Sequence, residues 1–176
     1  NCLKELKSEY FRCLSSLDTL NMYRNELIAL SSMAFSQLSA RLELVSLSDN
    51  GVESVDVNTF SVSLAGLRML YLDGNLIDAI DSYTFQNLSS LRTLDLKNSS
   101  RLVELCQGSL AGLVSLEKLS VGPELVHIED NAFAELARLK SLDLSHNKLT
   151  RIARETFAGL ANLESLKLNS NHIVSI

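Results

Sequence analysis

The stretch "LKSLDLSHNKLTRI", residues 139–152, decides the architecture of this chain. Apolar and polar residues alternate through Leu142 and Leu144, which is the period of a short strand that buries one of its faces. An asparagine, Asn147, follows the strand, and further apolar residues come at Leu149 and Ile152. The stretch therefore predicts a strand, a turn and a second buried segment.

The same pattern recurs along almost the whole chain. Five copies carry apolar residues eight, five and three positions before the asparagine, and two and five positions after it. These asparagines are Asn25, Asn50, Asn75, Asn147 and Asn171. Seven successive units begin 23 to 25 residues apart, at Leu17, Leu42, Leu67, Leu91, Leu116, Leu139 and Leu163. Such a period predicts a solenoid in which each unit buries its apolar residues against its neighbours.

The second half of each unit carries one more large apolar residue. It is a phenylalanine in five units and a leucine once, at Phe35, Phe60, Phe85, Leu110, Phe133 and Phe157. The motif L-x-x-L-x-L-x-x-N-x-L with this Phe resembles the extracellular, typical class of leucine-rich repeats. That class includes Toll-like receptor ectodomains, insect immune leucine-rich proteins, and adhesion and guidance receptors.

The resemblance implies an α/β solenoid, a right-handed horseshoe with a parallel concave sheet. Its convex side would be irregular or built of short helices, with the Phe residues as a second spine of the core. We expect residues 1–16 to form an N-terminal cap and residues 17–176 to form seven repeats, the last incomplete. Because the last repeat lacks a cap, we expect the natural chain to continue or a partner to cover its end.

The repeating asparagines have a predicted structural role. Each amide can bond the backbone of its own turn and of the adjacent turn, which would otherwise be buried without partners. Two adjacent units lack this asparagine, since Ser99 stands there in the fourth and Glu124, after Gly122-Pro123, in the fifth. These irregular units reflect either sequence drift or a functional site.

The cysteines bear on the compartment. Cys2 and Cys13 precede the first repeat, and they resemble the disulfide-bonded N-terminal caps of secreted family members, although those caps usually carry four cysteines. A bridge between them would imply an oxidising compartment. The alternative is two small core residues in an amphipathic segment. Cys106 is left over, as a free thiol or as the partner in an intermolecular bridge.

Catalytic and metal-binding chemistry is not expected. Asp143, Ser145 and His146 are the residue types of a hydrolase triad, but Asp143 and Ser145 alternate on one strand and the repeat supplies no oxyanion hole. The histidines show no metal-ligand spacing, and no phosphate-cradling glycine loop is present. We therefore predict no enzyme activity, no metal site and no cofactor.

Two sequons predict possible N-glycosylation, at Asn87 and at Asn98. Asn87 falls on the predicted convex side, where a glycan would not obstruct the concave sheet. Asn98 falls at the rim of the concave sheet, where a glycan would block part of it.

Binding in this fold is expected on the outward positions of the concave strands, where seven strands can present a standard protein interface. Tyr23, Met69 and Tyr71, with Arg24, are predicted to form an anchor-like cluster. The alternative for them is ordinary scattered apolar surface. The C-terminal half is polar and is expected to be mostly solvated surface. The predicted partner-binding residues are Tyr23, Arg24, Met69, Tyr71, Asp73, Asp95, Lys97, Asp143, His146 and Lys167.

Composition and resemblance together indicate a function class. The net charge of -5 argues against nucleic acid as the partner, and no apolar run is long enough to span a bilayer. The resemblance implies a secreted or cell-surface recognition module, located outside the cell, that binds a protein ligand or co-receptor in innate immunity. It could also form a homodimer or heterodimer. The alternatives are an adhesion or guidance ectodomain, and an intracellular leucine-rich scaffold.

Overall fold

A parallel sheet runs the length of the molecule. The computed structural model describes residues 2–175. The strands within them are β1 (Glu5–Leu6), β2 (Thr19–Asn21), β3 (Ala29–Leu30), β4 (Leu44–Ser46), β5 (Met69–Tyr71), β6 (Thr93–Ser99), β7 (Glu104–Leu105), β8 (Lys118–Pro123), β9 (His127–Ile128), β10 (Ser141–Asp143) and β11 (Ser165–Lys167). Seven of them pair in the spatial order β11-β10-β8-β6-β5-β4-β2, and the other four form two short parallel pairs, β1-β3 and β7-β9.

The turns between the strands are almost free of helix. The described residues contain two 3₁₀ helices, Ser8–Phe11 before the first repeat and Val62–Leu64 on the convex side. None of the helices formed by residues 2–175 is long and apolar enough to cross a membrane. The predicted leucine-rich repeat architecture, with its concave parallel sheet and irregular convex side, is confirmed.

One continuous apolar core fills the solenoid, because the central residue of each short strand points inward. Leu70, Leu94 and Leu142 are completely buried, while their strand neighbours face outward. On the edge strand β11, which pairs on one side only in the sheet, the equivalent Leu166 is 39% exposed. Burial thus depends on both neighbouring turns, as expected for stacked repeats.

The predicted phenylalanine spine is present on the convex side. The rings of Phe35 and Phe60 stack with centroids 6.0 Å apart, and Phe60 and Phe85 with centroids 5.7 Å apart. Leu110 occupies the next position and is buried, and the stack resumes with Phe133 and Phe157 at 6.3 Å. Phe11, which the repeat pattern did not predict, extends the stack into the cap, 6.4 Å from Phe35.

The segment before the first repeat stacks on the solenoid as an additional turn. Strand β1 pairs with β3 in the register Glu5↔Ala29, and Leu6 is buried in the common core. The backbone N–H of Glu26 donates to the carbonyl of Leu3. These contacts join the segment to the first repeat, and the cap role of residues 1–16 stays a prediction.

The asparagines lie at the bend where the chain leaves the concave strands. Asn75 donates through Nδ2 to the Leu47 carbonyl of the preceding repeat at 3.0 Å, and its Oδ1 accepts the N–H of Val52 at 3.0 Å. The same pattern of bonds is made by Asn50, Asn147 and Asn171. Asn25, in the first repeat, donates to the Met22 carbonyl of its own turn. Each internal asparagine therefore joins two repeats through groups that the bend would bury unpaired.

The two units without this asparagine have the longest strands. Strands β6 and β8 pair beyond the usual three residues, with a register shift between Leu96 and Ser99 and a final pair Ser99↔Pro123. Ser99 is completely buried, and its hydroxyl has no hydrogen-bond partner among the described residues. Leu102 and Leu125 are nonetheless both fully buried. The irregular spacing is thus absorbed by the backbone without loss of the core.

Candidate functional site: the concave surface

The outward residues of the concave sheet form registered rows. Parallel pairing places Asn21 beside Ser46, then Tyr71, then Asp95, and continues through Ser120 to Asp143 and Lys167. Adjacent members of a row are separated by the strand spacing of about 4.8 Å. The row changes from polar to aromatic to acidic and ends with a cation, so its character differs along the sheet.

Tyr23 and Arg24 form the first exposed feature at the N-terminal end. The guanidinium of Arg24 lies 4.9 Å from the centroid of the Tyr23 ring, and Tyr23 is 45% exposed. The Arg24 Nε is 3.3 Å from an oxygen of Asp49 in the next repeat. Arg24 has a φ of 53°, because it occupies the left-handed position just before the ladder asparagine and not an outward strand position. Stacking on the ring and pairing with Asp49 both hold the guanidinium near Tyr23.

Met69 and Tyr71 form a second apolar feature, in the third repeat. Both are half-buried, and the Tyr71 hydroxyl donates to the Met69 Sδ at 3.7 Å. The second repeat, with Ser46, lies between them and Tyr23. The predicted cluster is therefore divided into two pairs, separated by about two strand spacings, or roughly 10 Å.

Carboxylates occupy the middle of the surface. Ser48 donates to Asp73 at 2.5 Å, and the N–H of Lys97 donates to Asp95 at 2.9 Å. Burial, helped by the nearby charges of Asp73 and Asp143, raises the pKa of Asp95 above its ordinary value. This part of the sheet therefore disfavours additional negative charge and favours a cation or a hydrogen-bond donor from a partner.

The C-terminal half is held by a network centred on Asp143. The Lys97 Nζ lies 3.0 Å from one Asp143 oxygen, and the Lys167 Nζ lies 3.5 Å from the other. The Ser145 hydroxyl donates to Asp143 at 2.6 Å. Burial alone would raise the pKa of Asp143, but hydrogen bonds from Ser145 and Lys97 outweigh it and hold the pKa well below its ordinary value. The C-terminal half is predicted to be mostly solvated surface, and the structure shows Asp143 paired there with both Lys97 and Lys167.

The triad-like residues do not converge as a catalytic set. Ser145, expected to point out, is buried under Lys97, and its hydroxyl donates to a carboxylate that is itself ion-paired. His146 has a φ of 58° and lies at the exposed bend before Asn147, so it is not an outward residue of the strand. A serine nucleophile needs a base that accepts a hydrogen bond from its hydroxyl. The Ser145 hydroxyl donates to Asp143 instead, and the His146 imidazole is exposed to solvent.

The other predicted residues have distinct environments. Asn87 is half-buried and its Nδ2 donates to the Phe60 carbonyl at 3.0 Å, whereas Asn98 is exposed. Cys2 and Cys13 are both exposed and are not bonded to each other in the structure, so the disulfide remains a prediction. Cys106 is a half-buried free thiol on the convex side, and burial, together with Glu104 and Glu129, raises its pKa.

A charged groove on the edge that precedes the strands was not found from sequence. Its volume is about 520 Å³, and Arg68 and Arg92 line it side by side. Arg68 pairs with Glu43 at 3.6 Å and Arg92 with Glu117 at 3.5 Å. The repeat motif leaves these positions free, so only their common place in successive turns could have indicated the groove.

Comparison with known proteins identifies the class. The family model described as "Leucine rich repeat" matches residues 40–99, 65–122 and 122–173. The chain belongs to the leucine-rich repeat family.

Relatives within that family include immune receptors. The chain is 32% identical to the CD180 antigen of Mus musculus over 79% of this chain and 21% of that protein. It is 31% identical to Toll-like receptor 3 of Bos taurus over 76% of this chain and 16% of that protein. It thus spans about a fifth of the length of such relatives, and it is a leucine-rich repeat segment similar to Toll-like receptors and CD180.

Solved structures agree with this placement. The structure of a TLR13–ssRNA13 complex matches 98% of this chain and 24% of that chain with a TM-score of 0.92 and 32% identity. The structure of a Toll–Spätzle complex matches with a TM-score of 0.62 over all of this chain and 31% of that chain. At 18% identity the second match shows the fold alone.

Proposed function

We propose that this chain is a recognition segment of an extracellular innate immune receptor or co-receptor. It binds a protein partner through the N-terminal half of its concave surface. The observation that carries the proposal is the contrast between the two halves of that surface. Tyr23, Arg24, Met69 and Tyr71 offer aromatic, thioether and guanidinium groups, whereas Asp143 in the C-terminal half is already ion-paired with Lys97 and Lys167.

Physical chemistry favours the N-terminal half as the contact surface. Tyrosine and arginine are enriched among the residues that contribute most to binding in protein interfaces. The Arg24 guanidinium is already oriented by the Tyr23 ring, so little freedom is lost when a partner binds. In the C-terminal half a partner would have to displace existing ion pairs.

A protein partner fits the surface better than a nucleic acid does. The TLR13 structure was solved with single-stranded RNA, so RNA is the natural alternative to weigh. Here the centre of the sheet carries Asp73, Asp95 and Asp143, and the whole chain has a net charge of -5. Binding of RNA depends on clustered cations that neutralise phosphates, and these carboxylates oppose it.

Site-specific crosslinking tests the proposal. A photo-crosslinking amino acid is placed at Tyr71 on the concave face and, as the matched control, at Val62, which is 75% exposed on the convex side. Each protein is incubated with extracellular fluid of the source organism. We expect a saturable protein adduct from position 71 that excess unlabelled chain competes away and that Tyr23→Ala with Arg24→Ala removes. Equal adducts from both positions, or a nuclease-sensitive adduct, would contradict the proposal.

The extracellular location has its own test. In the secreted form we expect Cys2 and Cys13 to be bonded to each other and Cys106 to be free. Titration of thiols under denaturing conditions should then find one thiol per chain, rising to three after reduction. Three thiols before reduction would favour the intracellular scaffold.

A further inference from the structure

A compact set of metal-binding side chains lies on the convex side of the fourth and fifth repeats. Strands β7 and β9 pair in parallel, with Glu104 beside His127 and Leu105 beside Ile128. The two apolar residues point into the core and are almost completely buried. The N–H of Glu129 continues the pairing by donating to the Leu105 carbonyl at 2.9 Å. Because side chains alternate along strands, Glu104 and Cys106 share an outward face with His127 and Glu129.

The donor atoms on this face are close together. One carboxylate oxygen each of Glu104 and Glu129 and the Cys106 Sγ lie within 4.8 Å of one another. The His127 Nε2 lies 3.8 Å from an oxygen of Glu104. The backbone N–H of Gln107 donates to one Glu129 oxygen at 2.7 Å, which orients that carboxylate on the strand pair. Three donor atoms thus lie together, and the imidazole of His127 adjoins them beside Glu104.

We propose that Glu104, Cys106, His127 and Glu129 bind one Zn²⁺ ion. Thiolate and imidazole favour zinc over calcium or magnesium, whose ligands are oxygens. Tetrahedral zinc distances of about 2.0–2.3 Å require neighbouring donors to be about 3.4–3.8 Å apart. The donor atoms of Glu104, Cys106 and Glu129 lie within 4.8 Å of one another, and the His127 Nε2 lies 3.8 Å from Glu104. Four-fold coordination therefore requires rotation of the glutamate side chains and of the exposed His127 imidazole towards the Cys106 Sγ.

Among residues 2–175 the three mutually close donors come from these two repeats alone. In the preceding repeat the two positions aligned with Glu104 and Cys106 are Ala79 and Asp81. In the following repeat Arg151 and Ala153 line a cleft of about 500 Å³ next to His127 and Glu129. The arginine bounds the site on that side and offers no metal ligand.

The position suggests what the metal does. The fourth and fifth repeats are the two that carry Ser99 and Glu124 in place of the ladder asparagine. A zinc ion held by two residues from each repeat would join them on the convex side. The site lies on the face opposite the concave strands, so the inference stands or falls independently of the proposed binding surface.

Metal titration of the whole chain tests this site. Co²⁺ replaces Zn²⁺ as a spectroscopic probe, with a non-thiol reductant present. We expect one Co²⁺ per chain, with a sulfur-to-cobalt charge-transfer absorption that Zn²⁺ abolishes. Cys106→Ser should remove that absorption, and His127→Ala and Glu129→Gln should each weaken binding at least about tenfold. Zn²⁺ should raise the thermal midpoint of the wild type but not that of Cys106→Ser.

Matched variants keep the result interpretable. Cys13→Ser changes an exposed cap thiol and Glu155→Gln an exposed convex carboxylate, and both should bind Co²⁺ as the wild type does. Circular dichroism of each variant checks that it is folded. Co²⁺ binding without a thiolate absorption, or an absorption lost in Cys13→Ser and kept in Cys106→Ser, overturns the proposal. So does the absence of binding at micromolar Co²⁺ by the folded wild type.

Discussion

Lys97 of the fourth repeat reaches over the fifth repeat to Ser145 of the sixth. Its Nζ donates to the Ser145 carbonyl at 2.9 Å and lies 3.0 Å from Asp143. The fifth repeat presents Ser120 and Gly122 at the crossing, and neither is large enough to block it. Side-chain contacts in a solenoid ordinarily join nearest neighbours. This one links two turns that share no backbone pairing.

Lys97→Met should destabilise the protein by about 1–3 kcal/mol, because it removes a charged donor that the largely buried Asp143 carboxylate and the Ser145 carbonyl share. The control is Lys167→Met, since Lys167 pairs with the same Asp143 but is 58% exposed and should cost less than about 1 kcal/mol. Urea unfolding measures both.

The pKa of Asp143 is depressed in the fold, so its stabilisation is present above the ordinary carboxyl pKa and lost in acid. The difference between wild type and Lys97→Met should therefore shrink as the pH falls.

Asp95→Asn should stabilise the protein at neutral pH. Burial raises the pKa of Asp95 in the fold, so the native state holds the proton more tightly than the unfolded chain does. Stability is then lost as the pH rises from the ordinary carboxyl pKa through the raised one. The amide removes that loss and can still accept the N–H of Lys97. A thermal midpoint at pH 7 that is lower than that of the wild type would contradict this account.

Asn75→Ala should lower the free energy of unfolding by about 2–4 kcal/mol. It removes one donated and one accepted hydrogen bond between repeats and leaves their backbone partners buried and unpaired. The comparison is Asn25→Ala. That asparagine donates within its own turn, and its loss should cost about 1 kcal/mol. Denaturant unfolding measures both changes. Equal costs would show that the bonds between repeats contribute little.

Gly112→Ala should destabilise by about 2–5 kcal/mol. Gly112 has a φ of 89°, and a Cβ there would lie 2.4 Å from the Cα of Gln86 in the preceding turn. Gly51→Ala is the control, because its Cβ would come no closer than 3.4 Å to the Leu27 carbonyl oxygen. It should change stability by less than about 1 kcal/mol. Thermal unfolding of the two variants distinguishes a close approach of two turns from a general effect of losing glycine.

Expression in a eukaryotic secretory pathway should attach a glycan at Asn98 and not at Asn87. Asn98 is exposed near the end of β6, whereas the Asn87 Nδ2 that would carry the sugar is engaged with the Phe60 carbonyl. Peptide mass spectrometry before and after enzymatic deglycosylation locates the glycan, with Asn98→Gln and Asn87→Gln as paired variants. Occupancy at Asn87 alone would show that glycosylation precedes the formation of that bond.

Sequence periodicity predicted the backbone of this molecule because each constrained position has one physical task. A leucine such as Leu142 must be buried, and an asparagine such as Asn147 must hydrogen-bond the backbone of a bend. Both positions can therefore be recognised in the sequence. Arg24 and His146 were misassigned as outward strand residues, since the motif does not reveal that the residue before the asparagine adopts a left-handed conformation.

Contacts between side chains at positions that the repeat motif leaves unconstrained could not be predicted from the sequence. The bond from Lys97 to Ser145 depends on which small residues lie between them, and no pattern within one repeat encodes it. The cluster around Cys106 likewise draws on two repeats, aligned only by the register of β7 and β9. Motif spacing along the chain therefore missed it.

At the junction between the fourth and fifth repeats, extended backbone pairing takes the place of the side-chain ladders. Side-chain ladders are interrupted there on both faces, at Ser99 and Glu124 on one and at Leu110 on the other, while the β6–β8 pairing is longer than the usual three residues. Main-chain bonds are insensitive to side-chain identity. Side-chain substitutions at this junction should therefore be tolerated, whereas insertions that break the pairing of β6 with β8 should weaken it.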